Sequence, residues 1–330
     1  MPFTVHSSWI ASLTPGPKAK TMNLTAILKP PRPQPYTACY EGVLGTRLEL
    51  YILAQHPRTA RQAEAQILLE IDRLEGLFSR FLPNSELNRW QNAGTARVSP
   101  ELAWLLREAE AWQRRTRGAF HPAAEAVQAL YRRTSAPSVE DLEALRTNLV
   151  APLWELEGEQ ARKLTTLPLN FNALAKGRIA DLACQQALRV AGVKEVWLNL
   201  GGDLRHYGAN SLRVAITHPF SPADNAPPLA WLVIRNQGVA TSGHTQRGRH
   251  LFDPRTIRPV TRIAQATALA QDAATADVLA TAFCVLEPEE SLALAEECQV
   301  GCLVVDSQGQ IYTNPAFDRQ CTQRLEEVHP

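Results

Sequence analysis

The spacing of apolar residues along the chain separates predicted helices from predicted strands. Apolar positions three and four apart predict amphipathic helices, whereas alternating or continuous apolar positions predict strands. The predicted helices cover 60–78, 100–117 and 138–148. The predicted strands cover 48–52, 154–156, 164–169, 196–200, 212–216, 231–234 and 238–244. Interleaved hairpin-like strands and helices predict a single α+β domain.

The most informative stretch is 167–203, which combines these patterns around a lysine. Leu167 and Leu169 alternate as in a strand, small residues lead to Lys176, and a helical pattern then ends at Gly192. This pattern predicts a small-residue turn with Lys176 at a helix N-terminus. Such a terminus suits a phosphate, because its N–H groups and dipole both favour an anion. The alternative is an ordinary strand–turn–helix–strand unit whose Lys176 is solvated.

Composition and charge narrow the class of protein. The chain has 330 residues, of which 45% are hydrophobic and 20% charged, and its net charge is +1. This balance gives no electrostatic reason to expect nucleic acid or a membrane surface as a partner. No apolar run approaches the roughly 20 residues that span a bilayer. The six cysteines form no C-x-x-C pair, which favours a reducing compartment.

The N-terminal residues differ in composition from the rest of the chain. They contain many prolines and no compact apolar segment. This composition predicts a disordered lead over 1–38, not a signal peptide, followed by one domain over 39–330. The expected location is therefore cytoplasmic.

Two further stretches carry candidate chemistry. The segment 249–256 concentrates histidine, arginine and aspartate, which suits a functional loop; the alternative is a surface hairpin held by an Asp253–Arg255 contact. Asp277 and Thr281 lie four apart, so on a helix they share one face and could offer two oxygens to Mg²⁺. Alternatively, Asp277 complements a helix dipole and Thr281 packs.

Taken together, a phosphate-suited turn, a cationic loop and an oxygen pair favour phosphoryl chemistry, in which cations and a metal offset phosphate charge. The sequence does not support three other kinds of site: a hydrolytic zinc site, a Rossmann dinucleotide site and a Walker-type nucleotide site. The sequence has no H-E-x-x-H zinc motif, no G-x-G-x-x-G after a first strand and no Walker loop.

Eight short motifs then occur in one order between 42 and 306. They are LGT, FSRFLPNSEL, GAFHP, NALAKGRIAD, NLGGD, ATSGH, HLFDPRT and ADVLATA. In this order they resemble the FAD:protein FMN transferase family, often called ApbE. The resemblance implies a T-fold-like α+β domain with mixed or antiparallel sheets and packed helices, with FAD held between its lobes. It also implies a Mg²⁺-dependent reaction that moves FMN from FAD to a Ser/Thr hydroxyl of an acceptor flavoprotein and releases AMP.

The resemblance also implies roles for individual residues. The metal ligands would be the backbone carbonyl of Ala173 and the side chains of Asp277 and Thr281. His250 would help to activate the incoming hydroxyl. The implied FAD contacts are Leu44, Phe81, Ala119, Phe120, His121, Asn170, Lys176 and Leu251. Taken alone, His121 also fits an ordinary loop histidine.

The chain departs from the family pattern at four positions. Phe81 stands where a tyrosine is common, Asn170 replaces an aspartate, and Asn172 and Ile257 replace glycines. These changes leave two alternatives open. One is an FAD pyrophosphatase that gives FMN and AMP, and the other is a flavin-binding protein without transfer chemistry.

Overall fold

Helices and antiparallel strands alternate through the part of the chain that the computed structural model describes, residues 33–134, 136–221, 226–243, 252–324 and 328. The helices are α1 Pro57–Phe78, α2 Glu86–Ala93, α3 Pro100–Arg115, α4 Glu125–Arg133, α5 Val139–Val150, α6 Asn172–Leu188, α7 Ala273–Phe283, α8 Pro288–Cys298 and α9 Pro315–Asp318. The first strands are β1 Gln34–Val43, β2 Thr46–Ala54, β3 Thr95–Arg97, β4 Trp154–Glu157, β5 Gln160–Lys163, β6 Val193–Leu200, β7 Asp203–Gly208 and β8 Leu212–Ile216. The remaining strands are β9 Ala230–Ile234, β10 Gly238–Gly243, β11 Phe252–Asp253, β12 Arg258–Pro259, β13 Ile263–Ala270, β14 Gly301–Asp306, β15 Ile311–Thr313 and β16 Cys321–Arg324.

Serine side chains cap the starts of three helices. Ser85, Ser99 and Ser138 each accept the backbone N–H three residues ahead, at 3.1, 3.2 and 3.1 Å. Each bond satisfies one of the N–H groups that a helix start leaves without an internal partner. The helices α2, α3 and α5 therefore begin for local reasons.

Eight strands form the main sheet in the order β1-β2-β6-β7-β10-β13-β14-β15. Every neighbouring pair in it is antiparallel. Smaller sheets join β16-β9-β8, β3-β5-β4 and β11-β12. The α+β class with antiparallel sheets is therefore confirmed.

The main sheet is covered on both faces, because alternate residues of each strand point to opposite sides. Helices α1, α6 and α7 pack on one face, against side chains such as Leu50, Leu198 and Ala240. The opposite face packs on the β16-β9-β8 sheet through Val239 and its neighbours Leu269, Leu303 and Val305. The helix-covered face holds the larger core and positions the site described below.

The strand predicted around Leu167 and Leu169 is wrong. Strand β5 lies earlier, and 164–171 form an irregular connection to α6. Leu169 is buried there, and the side-chain amide of Gln91 pairs with its backbone N–H and carbonyl as a neighbouring strand would. It accepts the Leu169 N–H at 2.9 Å and donates to the Leu169 carbonyl at 3.2 Å.

The start of α6 also differs from the prediction. The helix begins at Asn172, so the expected small-residue turn is its first turn and Lys176 lies one turn inside the helix. The Asn170 side chain accepts the Asn172 N–H at 2.9 Å and so fixes this earlier start. The structure thus presents the Lys176 side chain from the helix rather than from a loop.

Strand β1 begins at Gln34, so the last residues of the predicted 1–38 lead belong to the main sheet, and the rest of that lead lies outside the described residues. Strand β13 and helix α4 were not predicted. Strand β13 is buried along its whole length, so it lacks the polar alternation that marks a one-sided strand. Among the described helices, none has the length and apolar character needed to cross a membrane.

Candidate functional site

A cavity of about 310 Å³ opens where the start of α6, the middle of α7 and the end of β10 meet. The connection 119–122 and the segment before α2 complete its walls. It brings together most of the residues predicted for FAD or the metal. Those that line it are Phe81, Ala119, Phe120, His121, Asn170, Ala173, Lys176, Asp277 and Thr281.

The inner end of the cavity is built from charged and hydroxyl groups, here called the inner cluster: Lys176, Asp203, Ser242, Asp277 and Thr281. Lys176 forms an ion pair with Asp203, and its Nζ lies 3.9 Å from Oδ1 of Asp277. Asp203 and Asp277 are only 3% and 2% exposed. Because buried carboxylates are costly unless they are compensated, the lysine and both aspartates fix each other's positions.

The contact between α6 and α7 sets the position of Asp277. At Gly177 a Cβ atom would lie 2.2 Å from the Ala273 carbonyl oxygen, so only glycine allows this approach. The Gly177 N–H donates to Oδ2 of Asp277 at 3.3 Å. In a regular helix the same N–H faces the carbonyl of Ala173, four residues earlier. The Asp277 carboxylate therefore lies beside the first turn of α6, where Ala173 lines the cavity.

The side chain of Asp181, on α6, binds the start of α7. Its two oxygens accept the N–H groups of Ala273 and Ala274 at 2.9 and 3.1 Å. The Nε atom of Arg205 lies 3.1 Å from Oδ1 as an ion pair, without the alignment of a hydrogen bond. Burial raises the pKa of Asp181 to about 6, against the opposing effect of these N–H groups and of Arg205.

The oxygen groups of the inner cluster fit a hard divalent cation. Thr281 lies one turn after Asp277 on α7, and its Oγ1 is 3.4 Å from the Ser242 hydroxyl. No group of three or more His, Cys, Asp or Glu side chains suited to a metal occurs in the described ranges. A cation here would therefore depend on backbone, hydroxyl and ligand oxygens as well, as Mg²⁺ at phosphate sites does.

The outer end of the cavity is more exposed and is here called the outer cluster: Arg80, Phe81, Glu125 and Asn170. Phe81 is 69% exposed, and the Arg80 guanidinium carbon lies 4.7 Å from its ring centroid. Arg80 forms an ion pair with Glu125, which accepts a hydrogen bond from the Asn170 amide at 2.7 Å. An exposed aromatic ring at a cavity mouth offers a stacking surface to a planar ligand.

His121 lines the cavity, but both of its ring nitrogens have partners within the protein. Its Nδ1 accepts the Ala123 N–H at 3.0 Å, which leaves Nε2 to donate to the Leu149 carbonyl at 3.0 Å. Burial lowers the pKa of His121, so the neutral ring is favoured. This side chain ties α5 to the cavity wall, and a contact between His121 and FAD stays a prediction.

Other predicted residues lie elsewhere. Leu44 occupies the turn between β1 and β2, with φ of 51°, and does not line this cavity. Asp253 and Arg255 form the ion pair expected of a hairpin, with Arg255 Nε 3.0 Å from Asp253 Oδ1. His250 and Leu251 lie outside the described residues, so their predicted roles stay predictions.

Ile257 closes the turn after this hairpin pair in a left-handed conformation, with φ of 56°. A β-branched residue rarely adopts this conformation. Glycine, which the family resemblance implies at this position, adopts it readily. The turn persists because Ile257 is fully buried and its N–H donates to the Asp253 carbonyl at 2.8 Å. Its own carbonyl accepts the Tyr131 hydroxyl at 3.1 Å.

Four residues of the two clusters were not predicted as site residues: Arg80, Asp203, Ser242 and Glu125. Arg80 directly precedes the predicted Phe81 in the sequence. Asp203 ends the Gly201–Gly202 turn and Ser242 ends a strand of small residues, and both patterns are visible in the sequence. Glu125 follows the 118–122 motif by three residues, and no local pattern distinguishes it from a helix-start glutamate. It is placed at the site only by the packing of α4.

The chain is similar to several known proteins. The model of the ApbE family matches residues 44–304. Two curated relatives named FAD:protein FMN transferase are each 27% identical to the chain. The one from Rhodobacter capsulatus aligns over 92% of this chain and 60% of its own length, and the one from Vibrio cholerae over 72% and 78%.

Solved structures share the fold. The apo form of the Pseudomonas stutzeri flavinyl transferase ApbE superposes with a TM-score of 0.75 at 21% identity, covering 90% of this chain and 99% of that one. The apbe protein of Thermotoga maritima gives 0.76 at 22% identity, with 88% and 100% covered.

Proposed function

Because the chain belongs to the ApbE family, we propose that it transfers FMN from FAD to a hydroxyl of an acceptor flavoprotein and releases AMP. The observation that supports this most directly is the single cavity shared by Phe81, Lys176, Asp277 and Thr281. These residues come from separate motifs far apart in the sequence. Relatives that carry the transferase name share the family, and the cavity offers matching chemistry for a flavin, a pyrophosphate and a cation.

The inner cluster suits the pyrophosphate of FAD. Asp277 and Thr281, together with the Ala173 carbonyl, would hold Mg²⁺, which when bound neutralises phosphate charge as the AMP group leaves. Lys176 brings a second positive charge to the same end, and Asp203 orients it. The ion pair keeps the ammonium group fixed before a ligand arrives, which lowers the cost of ordering it.

The reaction exchanges one phosphorus–oxygen bond for another. The acceptor oxygen forms a bond to the FMN phosphorus, the bond from that phosphorus to the AMP oxygen breaks, and the hydroxyl loses its proton. His250 is the proposed proton acceptor, since imidazole serves this role near neutral pH. Phe81 would hold the flavin ring by stacking at the cavity mouth.

The test is to incubate the purified protein with FAD and Mg²⁺, with and without peptides that contain serine or threonine. Transfer predicts AMP together with a flavin-labelled peptide. FMN and AMP formed equally without peptide would indicate a pyrophosphatase. FAD binding without any AMP, across several peptides and divalent metals, would indicate a flavin-binding protein.

Replacing the proposed base gives a more specific test. His250→Ala should reduce the transfer rate by about 100-fold or more, the scale of losing a positioned proton acceptor. FAD affinity should change little, because other groups hold the phosphates. His56→Ala is a suitable control, since His56 precedes α1 and does not line the cavity. A His250→Ala protein with a normal rate but weak FAD binding would make His250 a binding residue.

A further inference from the structure

The Asn170 side chain joins two polar groups of opposite type. Its Oδ1 accepts the Asn172 N–H at 2.9 Å, while its Nδ2 donates to Oε1 of Glu125 at 2.7 Å. An amide can accept and donate at once, whereas an ionised carboxylate can only accept. Position 170 therefore requires a neutral side chain for as long as Glu125 is ionised.

Glu125 extends this chain of contacts toward the cavity mouth. Its second oxygen is ion-paired with Arg80, and the side chains of Glu125 and Arg80 are 28% and 29% exposed, respectively. The Arg80 guanidinium carbon lies 4.7 Å from the centroid of the Phe81 ring, within the range of a cation–π contact. Three contacts in series thus connect Asn170, just before α6, to the aromatic ring.

The Phe81 backbone is held more firmly than its ring. The Ser79 hydroxyl accepts the Phe81 N–H at 3.2 Å, and Asn88 donates to the Arg80 carbonyl at 2.9 Å. The ring itself is 69% exposed, so packing restricts its orientation little. The guanidinium against this ring is a specific restraint on it, and Glu125 holds that guanidinium in place.

We infer that Glu125 is a positioning residue for the flavin ring, acting through Arg80 on Phe81, and that Asn170 is an amide because it must donate to Glu125. This inference rests on the proposed function, in which Phe81 stacks on the flavin. Where the family resemblance implies an aspartate at position 170, this chain has an amide that donates to the carboxylate of Glu125. An aspartate at 170 would place two acceptors where a donor and an acceptor now meet, and their charges would repel.

A pair of substitutions tests whether residue 170 must donate and residue 125 must accept. Asn170→Asp should weaken FAD binding about tenfold, the scale of losing a hydrogen bond to a charged group. Glu125→Gln should also weaken it, because the amide nitrogen that replaces one carboxylate oxygen would face a donor of either Arg80 or Asn170. The double variant should recover to within about threefold of the wild type. In it, the introduced glutamine accepts from Arg80 and donates to the introduced aspartate, which still accepts the Asn172 N–H.

The measurement is a flavin fluorescence titration of each protein, with thermal unfolding recorded in parallel. Arg80→Leu should weaken FAD binding, while Arg89→Leu, at an arginine of α2 that does not line the cavity, should not. A purely structural role would lower the unfolding temperature of the single variants and leave FAD affinity unchanged. Such a result would overturn the inference. So would an Asn170→Asp protein that binds FAD with wild-type affinity, or a double variant that binds FAD no more tightly than the weaker of the two single variants. A wild-type protein that does not bind FAD would overturn the proposed function as well.

Discussion

The two ends of the cavity are held in place by different physical means. In the inner cluster, Asp203 and Asp277 are almost fully buried, and Asp277 is positioned by the backbone contact of α6 with α7. In the outer cluster, Arg80, Glu125 and Asn170 are partly exposed and contact one another through side chains. The inner end is therefore part of the buried core, whereas the outer end lies at the surface and is held by contacts between side chains.

This difference has a consequence for how each end can change in sequence. A substitution in the inner cluster alters a close backbone approach or leaves a buried charge without compensation, and both are costly. A substitution in the outer cluster can be offset by a second side chain nearby. Substitutions at the two ends, and in the core beside them, should therefore differ in the size and kind of their effects.

Gly177→Ala should have the largest effect, on folding itself. The new Cβ would lie 2.2 Å from the Ala273 carbonyl oxygen, and no side-chain rotation can relieve a clash with backbone. We expect a loss of about 3 kcal/mol or more in the free energy of unfolding, the upper range for overpacking. Gly76→Ala in α1 is the matched control, because no atom lies within 4 Å of its added Cβ. It should be neutral or stabilise by up to about 1 kcal/mol; equal unfolding curves for the two variants would contradict the close approach.

Asp277→Ala should abolish Mg²⁺-dependent turnover of FAD. The fold should stay largely intact, because Lys176 keeps its ion pair with Asp203 and is not left without compensation. The substitution removes the only charged ligand proposed for the cation. AMP release over a range of Mg²⁺ concentrations measures the effect, and circular dichroism checks the fold. Turnover at the wild-type rate and the same Mg²⁺ concentration would show that this ligand assignment is wrong.

Phe81→Ala should have a smaller effect, limited to flavin affinity. A stacked aromatic ring contributes on the order of 1 kcal/mol, so FAD binding should weaken several-fold. Phe81→Tyr keeps the ring and should bind FAD as the wild type does. Equal affinities in all three proteins would place the flavin elsewhere. Stability should be unaffected in each, because the ring is exposed.

Asp181 gives an effect of another kind, a change in how stability depends on pH. Its pKa is about 6 in the folded protein, above the ordinary value of 3.8, so the folded state binds the proton more tightly. Its contribution to stability is therefore complete below about pH 4 and is lost as the pH rises through about 6. Relative to Asp181→Asn, which does not titrate, the wild type should lose unfolding temperature over that window. Parallel pH profiles would contradict the raised pKa.

The hairpin near the site shows how far sequence comparison alone can mislead. Ile257 in place of a glycine suggests that the turn has changed, yet the residue keeps the left-handed φ that a glycine would favour. Such a conformation costs of order 1–3 kcal/mol and persists only where surrounding contacts determine it. Here the fully buried side chain and the bond from its N–H to Asp253 supply those contacts.

The sequence by itself determined the elements whose causes are local. Amphipathic spacing was sufficient for helices α1, α3 and α5, the mix of helices and strands for the α+β class, and the ordered motifs for nine of the residues that line the cavity. The sequence could not determine where irregular segments lie, because Leu169 alternates with Leu167 as a strand would while a distant glutamine supplies its hydrogen bonds.

Only the tertiary structure decided which charged groups meet. The pairing of Lys176 with Asp203 and of Asn170 with Glu125 joins residues 27 and 45 positions apart, and no periodicity encodes such pairs. The first pair depends on the packing of α6 on β7, and the second on the position of α4 beside the cavity. Burial then turns these contacts into restraints, because a charge or amide removed from water must find a partner of the opposite type.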